Sequence, residues 1–256
     1  MRTNSNTSST LKISFLWRIT WHPLLCSYGL RPFTWFKDGA IYCPSKPMKD
    51  CYSMTIHLHH HDIPADLALG NILAIDTEAM GLRDGRDRLC VLQLSDGQGD
   101  AHLVRFAPGK YEAPNLRELL ADENRLKLLH YARFDMAIIK RHLDIMLSPV
   151  YCTKIASKIA RTYTDRHGLK ELAREIAGVE ISKQQQLSDW GQEELTEAQM
   201  NYAASDVLYL HKICEGLENM LEREGRGHLL KPCLAFLPHR VTLDLEGWGD
   251  SDVFSH

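Results

Sequence analysis

The stretch "ILAIDTEAMGL", residues 72–82, begins with four apolar residues and then places two carboxylates, Asp76 and Glu78, one residue apart. Side chains alternate along a strand, so residues two apart lie on the same face. The stretch therefore predicts a buried strand, about 72–78, that ends in two like charges on one face. Such carboxylates repel each other unless a cation or a proton lies between them. The pattern favours a metal site, although acids in a solvated loop would look the same.

Further strands and helices are predicted around this stretch. A short edge strand in "MTIHLHHHDIP" precedes it, and the strands that follow are placed at about 88–95, 101–105 and 126–131. Helices are predicted at about 115–121, 134–145, 151–163, 167–177 and 195–224. Strands first and helices later, with some alternation, predict an α/β fold in which a mixed central sheet is flanked by helices. The last 30 residues, with two prolines, predict an irregular tail from about residue 225 with one short helix.

The first 53 residues differ from the rest of the chain. They hold seven Lys/Arg and only two acids, and nine of the 21 aromatic residues, without a clear period of 2.0 or 3.6. A mitochondrial-type presequence would fit this composition. We favour an upstream stretch included in the reading frame, with the native start at Met54, because the domain pattern begins immediately afterwards. Residues 1–53 are expected to be disordered, and residues 54–256 are expected to form the domain.

Composition narrows the functional class. Residues 54–256 have a net charge of −8, which argues against long tracking of a polynucleotide backbone along a basic groove. No apolar run approaches the length of about 18 residues that a membrane span needs. The seven cysteines form no C-x-x-C pair, so reduced thiols in a cytoplasmic protein are expected.

A histidine-rich stretch lies in the predicted edge strand. His57 and His59 are expected on one strand face, followed by His60 and His61. No third type of metal ligand stands nearby in the sequence. An exposed strand is therefore favoured over a zinc site.

Two later segments add a third and a fourth carboxylate. Asp135 stands near the start of an amphipathic helix in "HYARFDMAIIKRHL", and Tyr202 and Asp206 are four apart in "NYAASDVLYL", on one helix face. Taken singly, an Asp in a first helical turn and a polar stripe on a helix are ordinary structural features. Taken together, four carboxylates and a phenol form a set of hard oxygen ligands.

This set of ligands suits two Mg²⁺ or Mn²⁺ ions better than zinc, which prefers nitrogen and sulfur. Two such ions about 4 Å apart can bind the attacking and leaving oxygens of a phosphodiester displacement. Tyr202 is then placed to orient the attacking water.

The three segments resemble the motifs of the DEDDy 3′–5′ exonucleases, the ribonuclease D-like branch of the ribonuclease H-like fold. Longer stretches are similar to the alphaproteobacterial nanoRNase C family, which cleaves very short RNA, above all dinucleotides: "RDRLCVLQLS", "YCTKIASKIARTYTDRHGLKEL", "ISKQQQLSDW" and "FLPHRVTLDLEGWGDSDVF". The resemblance spans residues 54–256. It departs from many relatives at Tyr131, where they have Asn, and at "GQEEL" after Trp190, where they have an Arg before Pro-Leu.

The resemblance implies an activity and a set of site residues. The expected activity is 3′–5′ exoribonuclease action that releases nucleoside 5′-monophosphates from dinucleotides and other very short RNA. Two divalent ions would be bound by Asp76, Glu78, Asp135 and Asp206, while Tyr202 positions water. The expected assembly is a ring-like homo-oligomer, an octamer by resemblance, in which residues of about 232–256 lie in subunit contacts.

Substrate-binding residues are also predicted. A lysine can pair with a phosphate and a tryptophan can stack on a base, and a leucine just past the metal carboxylates can wedge between two bases. Each residue also has an ordinary alternative in a surface loop or in core packing. The candidates are Leu82, Arg133, His167, Lys183, Gln185, Gln186 and Trp190.

Three other functions remain open at this point. A general ribonuclease D-like processing enzyme would act on longer RNA. A non-catalytic nucleic-acid-binding module would have lost the carboxylates, all of which are present here. A glycosidase using Asp76 and Glu78 would need neither Tyr202 nor a divalent metal.

Overall fold

The computed structural model of the chain describes residues 54–81 and 87–255. The expectations for residues 1–53, and the substrate-binding prediction for Leu82, lie outside the described residues. The described strands are β1 (Thr55–His60), β2 (Ile72–Ala79), β3 (Leu89–Ser95), β4 (Asp100–Arg105), β5 (Leu126–Leu129) and β6 (Val150–Cys152). The described helices are α1 (Pro114–Ala121), α2 (Ala132–Leu143), α3 (Thr153–Ala160), α4 (Leu169–Leu172), α5 (Glu197–Leu208), α6 (Leu210–Arg223) and α7 (Gly227–Leu243).

The strands form one mixed sheet in the order β1-β4-β3-β2-β5-β6. β3 pairs antiparallel with both β2 and β4, whereas β1–β4, β2–β5 and β5–β6 are parallel pairs. The prediction of a mixed sheet flanked by helices is confirmed, and so is the placement of β1 at a sheet edge. β2, which holds the two carboxylates, lies inside the sheet.

Helices cover both faces of the sheet. Ala74 and Val91 face a layer that contains α3, α5 and α6, while Leu73 and Leu92 face a layer that contains α1, α2 and α7. Every residue of β3 is buried, as expected for a strand that is covered on both sides. This arrangement sets α5 across the face of β2 on which Asp76 and Glu78 lie.

The prediction of an irregular C-terminal tail is wrong. α7 is 17 residues long, and a π-helical turn, Asp244–Trp248, follows it. Pro232 and Pro238 obscured the helix in the sequence because a proline removes one helical hydrogen bond and clashes with the preceding turn. Leu237 and Val241 of α7 are buried against the core, and this packing outweighs the poor local helix propensity.

Two other predicted helices are also revised. The helix predicted at 151–163 starts instead as strand β6, a three-residue strand too short to show a period of its own. The helix predicted at 195–224 is divided at Tyr209 into α5 and α6. Among the described residues, no helix is both long and apolar enough to span a membrane.

Candidate active site

Three of the predicted carboxylates meet at the carboxyl end of β2. Asp76 and Glu78 leave the same face of the strand, and α5 places Asp206 over them. One ligand oxygen from each of these three residues lies within 4.8 Å of the others. Residues that are about 130 positions apart in the sequence are therefore neighbours in space, as the motif pattern predicted.

Asp135 approaches the same place from α2. It is 3% exposed, and its Oδ1 accepts a hydrogen bond of 2.6 Å from the Thr77 hydroxyl. Thr77 stands between the two acids of β2, so its side chain leaves the opposite face of the strand. The sequence D-T-E therefore supplies two carboxylates on one face and an anchor for the Asp135 carboxyl on the other.

The carboxylates strongly perturb one another. Burial is the main cause that raises the pKa of Asp76 and Glu78 well above their ordinary values, and the neighbouring carboxylates raise both further. Burial also raises the pKa of Asp135 and of Asp206 to about 7. Four acids this close can ionise together only when positive charge is supplied. An oxygen-rich, anionic cluster of this kind fits a divalent cation such as Mg²⁺ or Mn²⁺.

A buried amide lies directly across from Asp76. Gln93 on β3 is the register partner of Asp76 and is fully buried. Neither its Nε2 nor its Oε1 has a hydrogen-bond partner among the residues that the structure describes. An unpaired buried polar group costs about 1–3 kcal/mol, so its position beside the carboxylates fits a site completed by further polar ligands.

Tyr202 lies one helical turn before Asp206 on α5. Burial and the nearby carboxylates raise the pKa of the Tyr202 phenol, so it stays protonated and can donate a hydrogen bond. Its hydrogen bond with Asp206 lowers the pKa of that carboxyl. The Trp190 ring packs against it, with the ring centroids 6.0 Å apart. The phenol is thus held at the carboxylate cluster with its proton in place.

Trp190 does not fit the base-stacking role that was predicted for it. Its side chain is only 2% exposed, so neither ring face is open to a nucleotide base. The tryptophan instead packs on the body of the domain, which was the alternative expected from the sequence. Its contact with Tyr202 makes it a support for the phenol.

The other predicted substrate residues fall into two groups. The largely exposed loop before Trp190 contains Lys183, Gln185 and Gln186. Burial is the main cause that lowers the pKa of His130, and the positive charges of Lys154 and Lys183 lower it further. Since His130 lies two residues before the start of α2, this loop lies on the side of the site where α2 begins.

Arg133 and His167 make structural contacts. The Arg133 guanidinium bonds the Asp244 carboxylate and the Gly249 carbonyl, which ties α2 to the C-terminal segment. His167 Nδ1 lies 2.9 Å from the Ser157 hydroxyl. None of these contacts reaches the carboxylate cluster.

Tyr131 is a feature that sequence reasoning did not single out for the site. It caps α2 with φ of 64°, a left-handed conformation that is rare for an aromatic residue and frequent at functional sites. Its ring is half exposed, and the Lys154 ammonium lies 4.1 Å from the ring centroid. Many relatives have Asn at this position, and Asn adopts the left-handed conformation more readily than other residues. The replacement of that Asn by Tyr131 was the feature of the sequence that could have pointed to this position.

The raised pKa of Asp206 predicts how the stability of the metal-free protein depends on pH. The folded-state pKa of Asp206 is about 7, against an ordinary value of 3.8. Between these two pH values the folded chain keeps a proton that the unfolded chain has already released. The contribution of this proton to the free energy of unfolding is therefore present at low pH and is lost as the pH rises through 7. We expect Asp206→Asn to raise the melting temperature at pH 8, with a smaller difference at pH 5.

Differential scanning calorimetry in the presence of a chelator measures both proteins at each pH. Adding Mn²⁺ at pH 8 should raise the melting temperature of the parent much more than that of the variant. Equal effects of the substitution at pH 5 and pH 8 would contradict the assignment of a protonated carboxyl to the metal-free cluster.

The chain is similar to a known protein family and to proteins of known structure. A model of the 3′–5′ exonuclease family matches residues 59–222. The solved structure of Brucella melitensis NrnC bound to pGG is 51% identical, covers 80% of this chain and 100% of that chain, and superposes with a TM-score of 0.77. The same Brucella protein with bound Mg²⁺ is 50% identical, covers 79% of this chain and 100% of that chain, and has a TM-score of 0.76.

Curated relatives are longer than the matched region. Ribonuclease D of Granulibacter bethesdensis is 36% identical over 154 residues, which are 60% of this chain and 38% of that protein. The chain thus spans less than half the length of the curated relatives that it matches.

Proposed function

The chain belongs to the 3′–5′ exonuclease family, in its ribonuclease D-like branch, and from that premise we propose that it is a divalent-metal-dependent exoribonuclease acting on very short RNA. It releases nucleoside 5′-monophosphates from the 3′ end, with dinucleotides as the preferred substrate. The observation on which this rests is the convergence of Asp76, Glu78 and Asp206 within 4.8 Å, beside a protonated Tyr202. A glycosidase would use two carboxylates and would have no need of the others.

The metal-binding residues in this proposal are Asp76, Glu78, Asp135 and Asp206, and the ions are two Mg²⁺ or Mn²⁺. When bound, such ions supply an activated water and stabilise the leaving 3′ oxygen. Thr77 keeps Asp135 in position through its hydroxyl. The chain itself holds four carboxylates close together in a buried place. Burial disfavours their negative charge there unless a cation is bound.

Tyr202 has a separate task. Its phenol remains protonated through the pH range of the reaction, because burial and the carboxylates raise its pKa. It can therefore hydrogen-bond to the attacking water and hold it in line with the scissile phosphorus. Trp190 packs against the phenol ring and limits its motion.

The preference for short RNA has independent support. The relative solved with pGG matches this chain over all of its own length. The net charge of −8 over residues 54–256 is unsuited to following a long phosphate backbone. In this proposal Lys183, Gln185 and Gln186, in the largely exposed loop before Trp190, contact one or two phosphates of a short RNA. The curated ribonuclease D relatives support the second candidate, a processing exonuclease that acts on longer RNA.

Part of the proposal concerns assembly. Trp248, Val253 and Phe254 leave large apolar side chains exposed near the C-terminal end. We place these residues in the subunit contacts of a ring-like homo-oligomer, an octamer by resemblance. In this arrangement the segment of about 232–256 joins one protomer to the next.

Hydrolysis of a 5′-phosphorylated RNA dinucleotide with Mg²⁺ tests the activity and its direction. The expected products are nucleoside monophosphates, and a chelator should abolish their release. A matched dinucleotide whose 3′ hydroxyl is phosphorylated should be cleaved far more slowly, because the enzyme requires a free 3′ end. A cleavage rate that is unchanged both by the chelator and by the 3′ phosphate would overturn the proposal.

A further inference from the structure

Three imidazoles and a carboxylate meet on one face of the edge of the sheet, away from the carboxylate cluster. β1 and β4 are parallel neighbours, with Thr55 opposite Asp100 and His57 opposite His102. His57 and His59 are two apart on β1, and Asp100 and His102 are two apart on β4, so all four side chains leave the same face. We call His57, His59, His102 and Asp100 the histidine cluster.

The rings of the histidine cluster are in direct contact. The His102 ring lies between the other two, with centroid distances of 4.7 Å to His57 and 5.3 Å to His59. His59 Nε2 is 3.1 Å from His102 Nδ1, and His57 Nε2 is 3.3 Å from Asp100 Oδ2. Burial is the main cause that lowers the pKa of His59 and of His102, so both rings are neutral at pH 7 and can offer lone pairs.

The structure assigns to this cluster a binding site for one borderline divalent transition metal, such as Zn²⁺ or Ni²⁺, with His57, His59 and His102 as ligands. Neutral imidazole is a preferred ligand of these metals, whereas Mg²⁺ requires oxygen. The site is therefore chemically distinct from the oxygen cluster of Asp76, Glu78 and Asp206, and it goes beyond the proposed nuclease function.

Two of the ligand nitrogens already stand at a suitable separation, and their nearly parallel rings, 13° apart, must tilt so that both lone pairs point at one metal. Two nitrogens on a tetrahedral zinc, each about 2.0–2.1 Å from the metal, are about 3.3 Å apart. His59 Nε2 and His102 Nδ1, at 3.1 Å, are close to that value. The metal would replace the single hydrogen bond that now joins these two nitrogens.

The third ligand must move, because among the described residues three ligand atoms lie within 4.8 Å of one another only at Asp76, Glu78 and Asp206. His57 stacks on His102 and must turn its ring to direct a nitrogen at the same point. Its side chain is 40% exposed, which leaves room for this turn. Asp100, which now contacts His57 Nε2, can accept a hydrogen bond from that nitrogen while Nδ1 binds the metal, the usual arrangement of a carboxylate behind a metal-binding histidine.

Only half of this site could be identified from the sequence. His57 and His59 were visible as a pair on one strand face, and no third ligand stood near them in the chain. β4 supplies His102 and Asp100 from more than 40 residues away, through parallel pairing at the sheet edge.

Isothermal titration of the full chain with Zn²⁺, in the presence of saturating Mg²⁺, tests the site. We expect His57→Ala and His102→Gln each to remove one zinc equivalent, and Asp100→Asn to weaken its binding about 10-fold. His60→Ala is the matched control, because His60 is exposed on the opposite face of the same strand and should leave binding unchanged. Asp206→Asn should also keep this equivalent, which separates it from zinc bound at the carboxylates.

Melting curves of the metal-free variants confirm that each is folded before titration. Cobalt substitution gives a second readout, since Co²⁺ bound by imidazoles has visible ligand-field bands that His59→Ala should remove. Identical isotherms for the parent, His57→Ala and His102→Gln would overturn the proposal. Loss of the same equivalent in His60→Ala or in Asp206→Asn would do so as well. Neither result would affect the nuclease proposal, which is tested with RNA.

Discussion

An Asp76→Asn variant should lose hydrolysis of a 5′-phosphorylated dinucleotide by about 10²- to 10³-fold in kcat, an effect of the size seen when a single group that stabilises transition-state charge is removed. Asp76 belongs to the carboxylate cluster, where burial first, and then Asp135, Asp206 and Glu78, raise its pKa. An amide has nearly the same shape but lacks the charge that binds a divalent cation. The chemistry should therefore fail while the packing is kept.

Steady-state kinetics and calorimetry together check this prediction. The metal-free variant should melt at or above the parent temperature, because it no longer brings a costly buried charge into the folded state. Asp66→Asn, an exposed loop position, serves as the control and should leave kcat unchanged. Retention of more than a tenth of the parent kcat by Asp76→Asn would rule out the proposed metal role of this carboxylate.

Tyr202→Phe should lower kcat by about 10²-fold or more, the usual range for loss of a group that handles a proton or positions water. The substitution removes one hydroxyl and keeps the ring that packs on Trp190. The carboxylates remain, so the affinity for Mn²⁺ and the KM should change little. This division, a large effect on kcat with a small effect on metal binding, distinguishes a water-positioning phenol from a structural one.

Tyr209→Phe is the matched control for this variant. It removes a hydroxyl at the end of the same helix, two turns from Tyr202, and should leave kcat near the parent value. If Tyr202→Phe weakened Mn²⁺ binding as strongly as it lowered kcat, the phenol would be acting through the metal site. The proposed role of orienting water would then be wrong.

The core of the site could be predicted from the sequence because its determinants are periodic. Strand alternation places Asp76 and Glu78 on one face, and helical periodicity places Tyr202 and Asp206 on one face. The chemistry of four hard oxygen ligands then supplied the reason for these segments to meet. The same periodicity predicted the central strands within one or two residues.

Other features depend on tertiary packing, which local patterns do not encode. α7 forms despite two prolines, because Leu237 and Val241 are buried against the rest of the domain. Trp190 is aromatic and follows a polar loop, which suggested a stacking surface, yet it is packed against Tyr202. Gln93 shows its relation to Asp76 only through the antiparallel register of β2 and β3. The His57–His102 contact similarly requires the parallel pairing of β1 with β4.

The preference for very short RNA can be measured as the dependence of the hydrolysis rate on substrate length. Single-turnover rates with Mg²⁺ should be measured for 5′-phosphorylated RNA of two to about twenty nucleotides, at equal concentrations. We expect the highest rate for the dinucleotide and a steep fall over the next few lengths, with a nucleoside 5′-monophosphate released from the 3′ end in each case. A flat profile, or one that rises with length, would contradict the preference for very short RNA and would favour a processing exonuclease of the ribonuclease D type.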